Sequence, residues 1–181
     1  MSPILGIWAS QNYPRITSSY ESIETITVGS GGAANVEFTS IPSTFEHLQI
    51  RGIGRINSGS QIGYFQVNAD TTATNYYVHA LEGDGSTAYA YAVNTYPRYT
   101  SLTSSASQFG TGIIDILDYK NTNKYKTFRA LGGLDSNGTG TITLYSGLWK
   151  NTNAITSIKL IPNSGASFTQ YTSYALYGIK A

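Results

Sequence analysis

The stretch "KYKTFRALGGLDSNGTGTITLYSGLW", residues 124–149, contains two alternating segments joined by a short polar loop. The loop tripeptide "SNG" is typical of a tight turn that requires positive φ, so the stretch predicts a β-hairpin. One face of the second segment is Thr-rich and aromatic but uncharged, which favours an outer face that meets another subunit, a sugar or sparse solvent. This uncharged Thr-rich and aromatic face consists of Thr141, Thr143, Tyr145 and Trp149. The opposite face consists of Ile142, Leu144, Ser146 and Leu148.

Segments with strand character, separated by turn clusters, continue on both sides of this hairpin. Residues 85–112 are harder to assign and predict a long excursion with one short strand near 98–102. With no helical period anywhere, about ten strands predict an all-β protein, a jelly-roll-like sandwich of two antiparallel sheets. We expect an extended N-terminal arm over residues 1–22 and one sandwich domain over residues 23–181. The other predicted strands are 23–28, 34–39, 47–55, 62–69, 75–81, 111–119 and two runs within 155–181.

The composition excludes several classes of protein. The chain has 181 residues, no cysteine, 12% charged residues and a net charge of +1. Disulfides and thiolate metal sites are therefore excluded, and no basic surface points to nucleic acid. The N-terminus lacks the basic and apolar regions of a signal peptide, and no stretch is apolar over the length of a bilayer. We expect neither a nucleic-acid partner nor membrane insertion.

No pattern of catalytic residues stands out. His47 and His79 lie in strand-like runs and belong to no recognised catalytic cluster, and we interpret both as half-exposed strand residues. Asp115 and Asp118 are three residues apart, which places them on opposite faces of a strand, whereas glycoside hydrolysis needs two converging carboxylates. We expect one of the two to face solvent and the other to end the strand, with at most a salt bridge to Lys120 or Lys124. The sequence thus predicts a non-enzymatic protein.

The loop "LDSNGTG", residues 134–140, partly matches a calcium-binding loop. Asp135 and Asn137 fit the first ligand positions, but no later residue supplies the remaining ligands. A tight turn explains the same residues without an ion. We therefore expect no metal and no cofactor.

Six tyrosines in or beside the irregular middle region form a candidate surface for a ligand or partner. Rigid amphipathic rings among Ser, Gly and Asn suit contacts with proteins or stacking on sugars. The alternative is that these rings cap the ends of the sandwich, and composition favours neither. The six are Tyr76, Tyr77, Tyr89, Tyr91, Tyr96 and Tyr99.

The closing segment "SGLWKNTNAITSIKLIPNSGASFTQYTSYALYGIKA" resembles the C-terminal signature of a group of tailed-bacteriophage virion proteins, "W.....ITSI.L.P..G.F...S...LYGI". Upstream, "FTSIPSTFEHLQIRGIGR" and "DYKNTNKYKTFRALGG" resemble earlier strands of that group, and "DTTATNYYVHALEGDGS" resembles its "N.D...NY..H.L.G.G" segment. The signature is carried by Trp149, Ile155, Thr156, Ser157, Ile158, Leu160, Pro162, Gly165, Phe168, Ser173, Leu176, Tyr177, Gly178 and Ile179. The upstream segment is carried by Asn68, Asp70, Asn75, Tyr76, His79, Leu81, Gly83 and Gly85.

The resemblance implies a virion protein that is made in the host cytoplasm and released by lysis, which needs neither signal peptide nor disulfides. We expect a homotrimer that contacts other virion proteins such as the major capsid protein. Two roles stay open: a capsid decoration or head-appendage protein, and a fibre or tail-tip module that recognises host surface glycans. The short region before the domain favours the first role.

The N-terminal arm is the candidate attachment element. Its apolar residues Ile4, Leu5, Ile7 and Trp8 are unlike the polar domain that follows, and the prolines at 3 and 14 keep it extended. Our hypothesis is that the arm docks on a neighbouring subunit or on the virion. The alternative is that it folds back as an edge strand of its own sandwich.

Overall fold

A computed structural model describes residues 19–180, which form an all-β sandwich of twelve strands with two three-residue 3-10 turns and no α-helix. The predicted fold class is therefore confirmed. The arm residues Ile4, Leu5, Ile7 and Trp8 lie outside the described residues. The strands are β1 (Tyr20–Thr27), β2 (Val36–Phe38), β3 (His47–Gly54), β4 (Ser60–Val67), β5 (Tyr76–Gly83), β6 (Ala88–Val93), β7 (Arg98–Thr103), β8 (Gly110–Leu117), β9 (Lys126–Asp135), β10 (Gly140–Trp149), β11 (Ile158–Pro162) and β12 (Ser173–Ile179).

The strands form two antiparallel sheets of unequal size. The large sheet has the order β1-β12-β3-β8-β9-β10-β5-β6, and the small sheet has the order β2-β11-β4-β7. β9 and β10 form the predicted hairpin, whose turn places Asn137 at a φ of 54° and Gly138 at 100°. The turn prediction for "SNG" is confirmed.

Two boundaries differ from the sequence-based prediction. β1 begins at Tyr20, so the last three residues of the predicted arm belong to the large sheet. β6 lies inside the region that was predicted to be irregular, and it pairs with β5 at the sheet edge. The "AYAYAV" sequence of β6 alternates alanine, a weak strand former, with tyrosine, so its strand character depends on the partner strand.

The two sheets enclose one hydrophobic core. Its largest fully buried side chains include Trp149, Phe65 and Phe168. Phe65 of the small sheet meets Phe128 of the large sheet edge to face, with ring centroids 5.0 Å apart. β7 crosses β9 so closely that a Cβ added at Gly132 would overlap the Tyr99 carbonyl. Glycine at this position therefore sets the distance between the sheets.

The prediction for the two faces of β10 is wrong. Thr143, Tyr145 and Trp149, which were expected to face outward, are at most 2% exposed. Ile142 and Leu144 point away from the small sheet and are 64% and 47% exposed. The alternation was correct, but the aromatic face fills the space between the sheets and the aliphatic face lies outside.

Candidate assembly surface

Five large aliphatic side chains are exposed together on the outer face of the large sheet. Cross-strand pairing places Leu81 of β5, Leu144 of β10, Leu131 of β9 and Ile113 of β8 in one continuous row. These four side chains are 38–55% exposed, and Ile142 lies beside the row. We call these five residues the apolar patch.

The apolar patch contains a hollow of about 320 Å³ between Leu81, Leu131, Ile142 and Leu144. Gly83, which has no side chain, lies directly opposite Ile142 on the adjacent strand and lines this hollow. An exposed aliphatic cluster with a central depression suits a partner that inserts an apolar side chain.

Sequence reasoning missed the patch because its five residues come from four strands. One feature of the sequence did indicate such a patch. In "GTITLYSGLW" neither face of the strand carries a charge, so one of the two faces had to meet something other than bulk water.

A row of hydrogen-bonded polar side chains borders the patch. The Gln49 amide donates to the Asp115 Oδ1 atom over 2.6 Å, and Arg129 Nε donates to the other carboxylate oxygen over 3.1 Å. Arg51 of β3 pairs with Ile113 of β8, and its side chain donates a hydrogen bond to the side-chain amide oxygen of Gln49. A polar rim around an apolar centre is the usual anatomy of a protein interface.

The two edges of the large sheet are protected differently. The β1 edge carries Glu21 and Glu24, and its pairing shifts register between Ser22 and Glu24. The β6 edge, in contrast, contains no charged residue, no proline and no register shift. Charges and bulges normally prevent a free edge from pairing with another chain, so β6 is the edge open to a partner. β6 also presents Ala88 and Ala90 beside the apolar patch.

The six candidate tyrosines do not form one surface. Tyr76 and Tyr99 are fully buried in the core, and the Tyr99 hydroxyl lies 2.8 Å from that of Tyr174. Tyr96 packs edge to face on Tyr76 and donates to the Thr71 carbonyl. Tyr77 is exposed on the outer face, while Tyr89 is exposed on β6.

Tyr91, the remaining tyrosine, belongs to a polar cluster between β5, β6 and β7. Its hydroxyl donates to Glu82 over 2.7 Å and accepts from Arg98 over 2.8 Å. The Arg98 guanidinium also lies over the rings of Tyr91 and Tyr64, at 5.3 and 5.9 Å from their centroids. Burial raises the pKa of Tyr91, and the hydrogen bond to Glu82 acts in the same direction.

The two candidate carboxylates lie apart, as predicted. Asp115 is on the outer face of β8, whereas Asp118 follows the end of β8 and pairs with Lys124. The hydrogen bond from Lys124 holds the pKa of Asp118 below its usual value. His47 Nδ1 accepts a hydrogen bond from the Asp118 backbone N–H over 3.0 Å, and His79 is exposed beside Tyr77. His47 is therefore half-exposed as expected, while His79 is more exposed than expected.

The "LDSNGTG" loop uses its acidic residue to build the turn. Asp135 Oδ1 accepts from the Asn137 N–H over 2.9 Å. Across residues 19–180, no three or more His, Asp or Glu side chains come close enough together to hold a metal ion.

Several residues that carry the phage-protein resemblance form one hydrogen-bonded framework. The Asp70 carboxylate accepts from the Trp149 indole over 2.7 Å and from the Asn75 amide over 2.9 Å, and its backbone carbonyl accepts from the Tyr76 hydroxyl over 3.0 Å. Asn68 Oδ1 accepts from the backbone N–H groups of residues 156 and 157. Hydrogen bonds between the two resembling segments therefore link the 68–75 connection to β10 and to the segment before β11.

Comparison with known proteins gives no relative: no family model, no curated protein and no solved structure matches this chain. In the part of the chain that the structure describes, no helix is long and apolar enough to cross a bilayer.

Proposed function

We propose that this chain is a non-enzymatic structural protein on the surface of a tailed-phage virion, in the first place a capsid decoration or head-appendage protein that forms a homotrimer. The apolar patch is the observation that carries the assembly role. Single exposed aliphatic residues are ordinary on a protein surface, but a contiguous row across four strands is typical of an interaction site.

The phage assignment is supported by the resemblance of the closing segment. Trp149, Asp70 and Asn68, which belong to the resembling segments, hold the sandwich together. The resemblance therefore concerns the framework of the fold.

The charge distribution supports assembly with copies of the chain and with other virion proteins such as the major capsid protein. Only 12% of the residues are charged, and no charged side chain belongs to the apolar patch. Packing of such a surface loses little hydration of charged groups, which is the main cost of burying polar surface.

Imaging of the particle tests this proposal. Phage particles produced with and without the chain are compared by electron cryomicroscopy, and we expect density to disappear from the head. Loss of density from the tail alone would contradict the decoration role and favour the fibre or tail-tip role. Identical particles would contradict both. For the purified protein, light scattering should give three times the chain mass of 19.5 kDa.

A second candidate function is the binding of host surface glycans, and the Tyr91 cluster favours it. Partly exposed rings beside the Arg98 guanidinium and the Glu82 carboxylate combine a stacking surface with hydrogen-bonding groups, as sugar sites require. In this case Tyr91→Ala should reduce adsorption of the protein to host cells at least about tenfold while the oligomer persists. Unchanged adsorption would remove this candidate.

A further inference from the structure

We propose that the apolar patch is the docking site for residues 4–8 of a second copy of this chain. The inference rests on the proposed assembly function and adds the partner segment and the surface that receives it. Two observations support the inference: the exposed face of the large sheet, and the position at which the arm joins the sandwich.

The size of the apolar patch favours a short segment over a whole second face. A stable interface between two folded surfaces uses roughly 20–30 residues on each side. The patch offers five large aliphatic side chains around one hollow. Residues 4–8, "ILGIW", offer four large apolar side chains, which is a matching number.

The chemistry of the segment and of the patch is complementary. Residues 1–18 contain a single charged side chain, Arg15, which lies outside the apolar stretch. The arm would therefore bury no charged side chain in the contact, and the five patch residues carry no charge. The hollow between Leu81 and Leu131 is large enough to accept a side chain such as Trp8.

The entry point of the arm argues that the patch belongs to a second copy. Tyr20 begins β1 opposite Ile179, and the Lys180 N–H donates to the Ser19 carbonyl over 2.9 Å. β1 runs from Tyr20 towards the level of the patch, because Thr25 pairs with Ala175, which pairs with Arg51 beside Ile113. Tyr20, to which the arm is joined, is therefore at the end of β1 that is farther from the level of the patch.

Docking on its own patch would require the arm to reverse and cross the large sheet. Five strand spacings of about 4.8 Å separate β1 from β10, so the crossing is about 24 Å. Its path would lie over the polar row of Gln49, Asp115 and Arg129. Docking on a neighbouring copy needs neither the reversal nor this crossing.

Each copy would then give one arm and receive one arm. The two surfaces in such a contact differ, so the contact is heterologous and closes into a ring when the rotation between copies allows it. A closed ring of three copies accounts for the proposed trimer with a single kind of contact.

Cysteine crosslinking tests the contact directly, because the chain contains no native cysteine. A variant with Ala9→Cys and Ala90→Cys, which keeps Trp8 and all five patch residues, is treated with a short bis-maleimide and run on a denaturing gel. We expect covalently closed trimers. Covalent dimers would still support docking on a second copy, although they would contradict the trimer of the proposed function. Crosslinks confined to single chains, or no crosslinks, would overturn the proposal.

The matched control pairs Ala9→Cys with Lys159→Cys. Lys159 lies between the buried residues Ile158 and Leu160 of β11, so its side chain is on the outer face of the small sheet. This variant should give few crosslinked species under the same conditions. Equal crosslinking in both variants would show that the arm makes no specific contact and would also overturn the proposal.

A mutant cycle tests the energetic coupling between arm and patch. Trp8→Ser and Leu144→Ser should each weaken self-association at least about tenfold, and the double variant should be little weaker than either single variant, since both remove the same contact. Independent, additive losses would overturn the docking proposal. Loss of density from the virion, in contrast, tests the proposed function without reference to the arm.

Discussion

The inner and outer faces of β10 are both uncharged, but one is buried and the other is exposed to solvent. On the inner face, Tyr145 and Trp149 are at most 2% exposed, and the Trp149 indole donates to Asp70. On the outer face, Ile142 and Leu144 are about half exposed or more, at 64% and 47%. The more hydrophobic aliphatic residues thus face outward, while the aromatic residues with polar groups face the core.

This difference shows that side-chain size, more than hydropathy, selects the buried face of this uncharged strand. Two packed sheets lie about 10 Å apart, and large rings fill that space with few side chains. The polar group of the Trp149 ring can be buried because Asp70 accepts its hydrogen bond. The aliphatic face is then left for a partner. The following predictions test this comparison, from the largest expected effect to the smallest.

Trp149→Ala should lower the free energy of unfolding by about 3–5 kcal/mol, because it leaves a large cavity and removes the partner of Asp70. Urea unfolding followed by circular dichroism measures the loss. If the alanine variant does not fold, Trp149→Phe keeps most of the ring and should cost about 1–3 kcal/mol, because the Asp70 carboxylate loses one of its hydrogen bonds. A loss below about 1 kcal/mol for the alanine variant would contradict the assignment of this face to the core.

Gly147→Ala should lower the free energy of unfolding by about 1–3 kcal/mol, because the added Cβ would overlap the Phe128 ring on the inner face. Gly133→Ala is the matched control on the adjacent strand. The nearest atom to its new Cβ is the Thr141 carbonyl oxygen at 3.5 Å, an ordinary contact. Thermal unfolding should separate the two variants, and equal melting temperatures would be inconsistent with the packing described here.

Asp70→Asn should lower the free energy of unfolding by about 1–2 kcal/mol at neutral pH, since the charged acceptor of the Trp149 and Asn75 hydrogen bonds is lost. Burial by itself would raise the pKa of Asp70, but hydrogen bonds from Trp149, Asn75 and Thr72 together hold it below the ordinary 3.8. A carboxylate with a lowered pKa contributes stability above its unfolded-state pKa and loses it as the pH falls through the folded-state pKa.

The native protein should therefore lose stability as the pH falls from above the ordinary carboxyl pKa of 3.8 to below it, and the Asp70→Asn variant should lose less over the same range. Urea unfolding at several acidic pH values measures both slopes. Parallel slopes in the two proteins would show that Asp70 does not contribute to the acid sensitivity.

Leu144→Ala should change the free energy of unfolding by less than about 1 kcal/mol in a non-associating state, because the side chain is largely exposed. Its sequence neighbour Tyr145→Ala should cost about 3–5 kcal/mol. The free energies of unfolding of the two variants are measured at low protein concentration and compared. A larger loss for Leu144 than for Tyr145 would reverse the assignment of the two faces.

Local features of the sequence were sufficient for the elements of the fold. The alternation in "GTITLYSGLW" and the "SNG" turn each depend on a few adjacent residues, and both predictions are confirmed. β6 escaped prediction because alanine-tyrosine alternation is a weak local signal, and β5 supplies the pairing that makes it a strand.

The candidate site could be predicted only in part. The uncharged character of both faces of β10 was visible in the sequence, and so was the apolar arm. The tyrosines could not be placed, since exposure separates Tyr77 and Tyr89 from the buried Tyr76 and Tyr99. The apolar patch was missed because Leu81, Ile113, Leu131 and Leu144 are brought together only by the order and register of the strands.

The sequence by itself determined that this protein is all-β, where most strands and the main hairpin lie, and that no cysteine-based chemistry occurs. These properties follow from composition and from contacts between residues close along the chain. The tertiary structure decided which face of each strand is buried, which edge of the large sheet is unprotected and which aliphatic residues form a surface. A strand has two faces that alternate regularly, and only packing against the second sheet determines which of them is withdrawn from water.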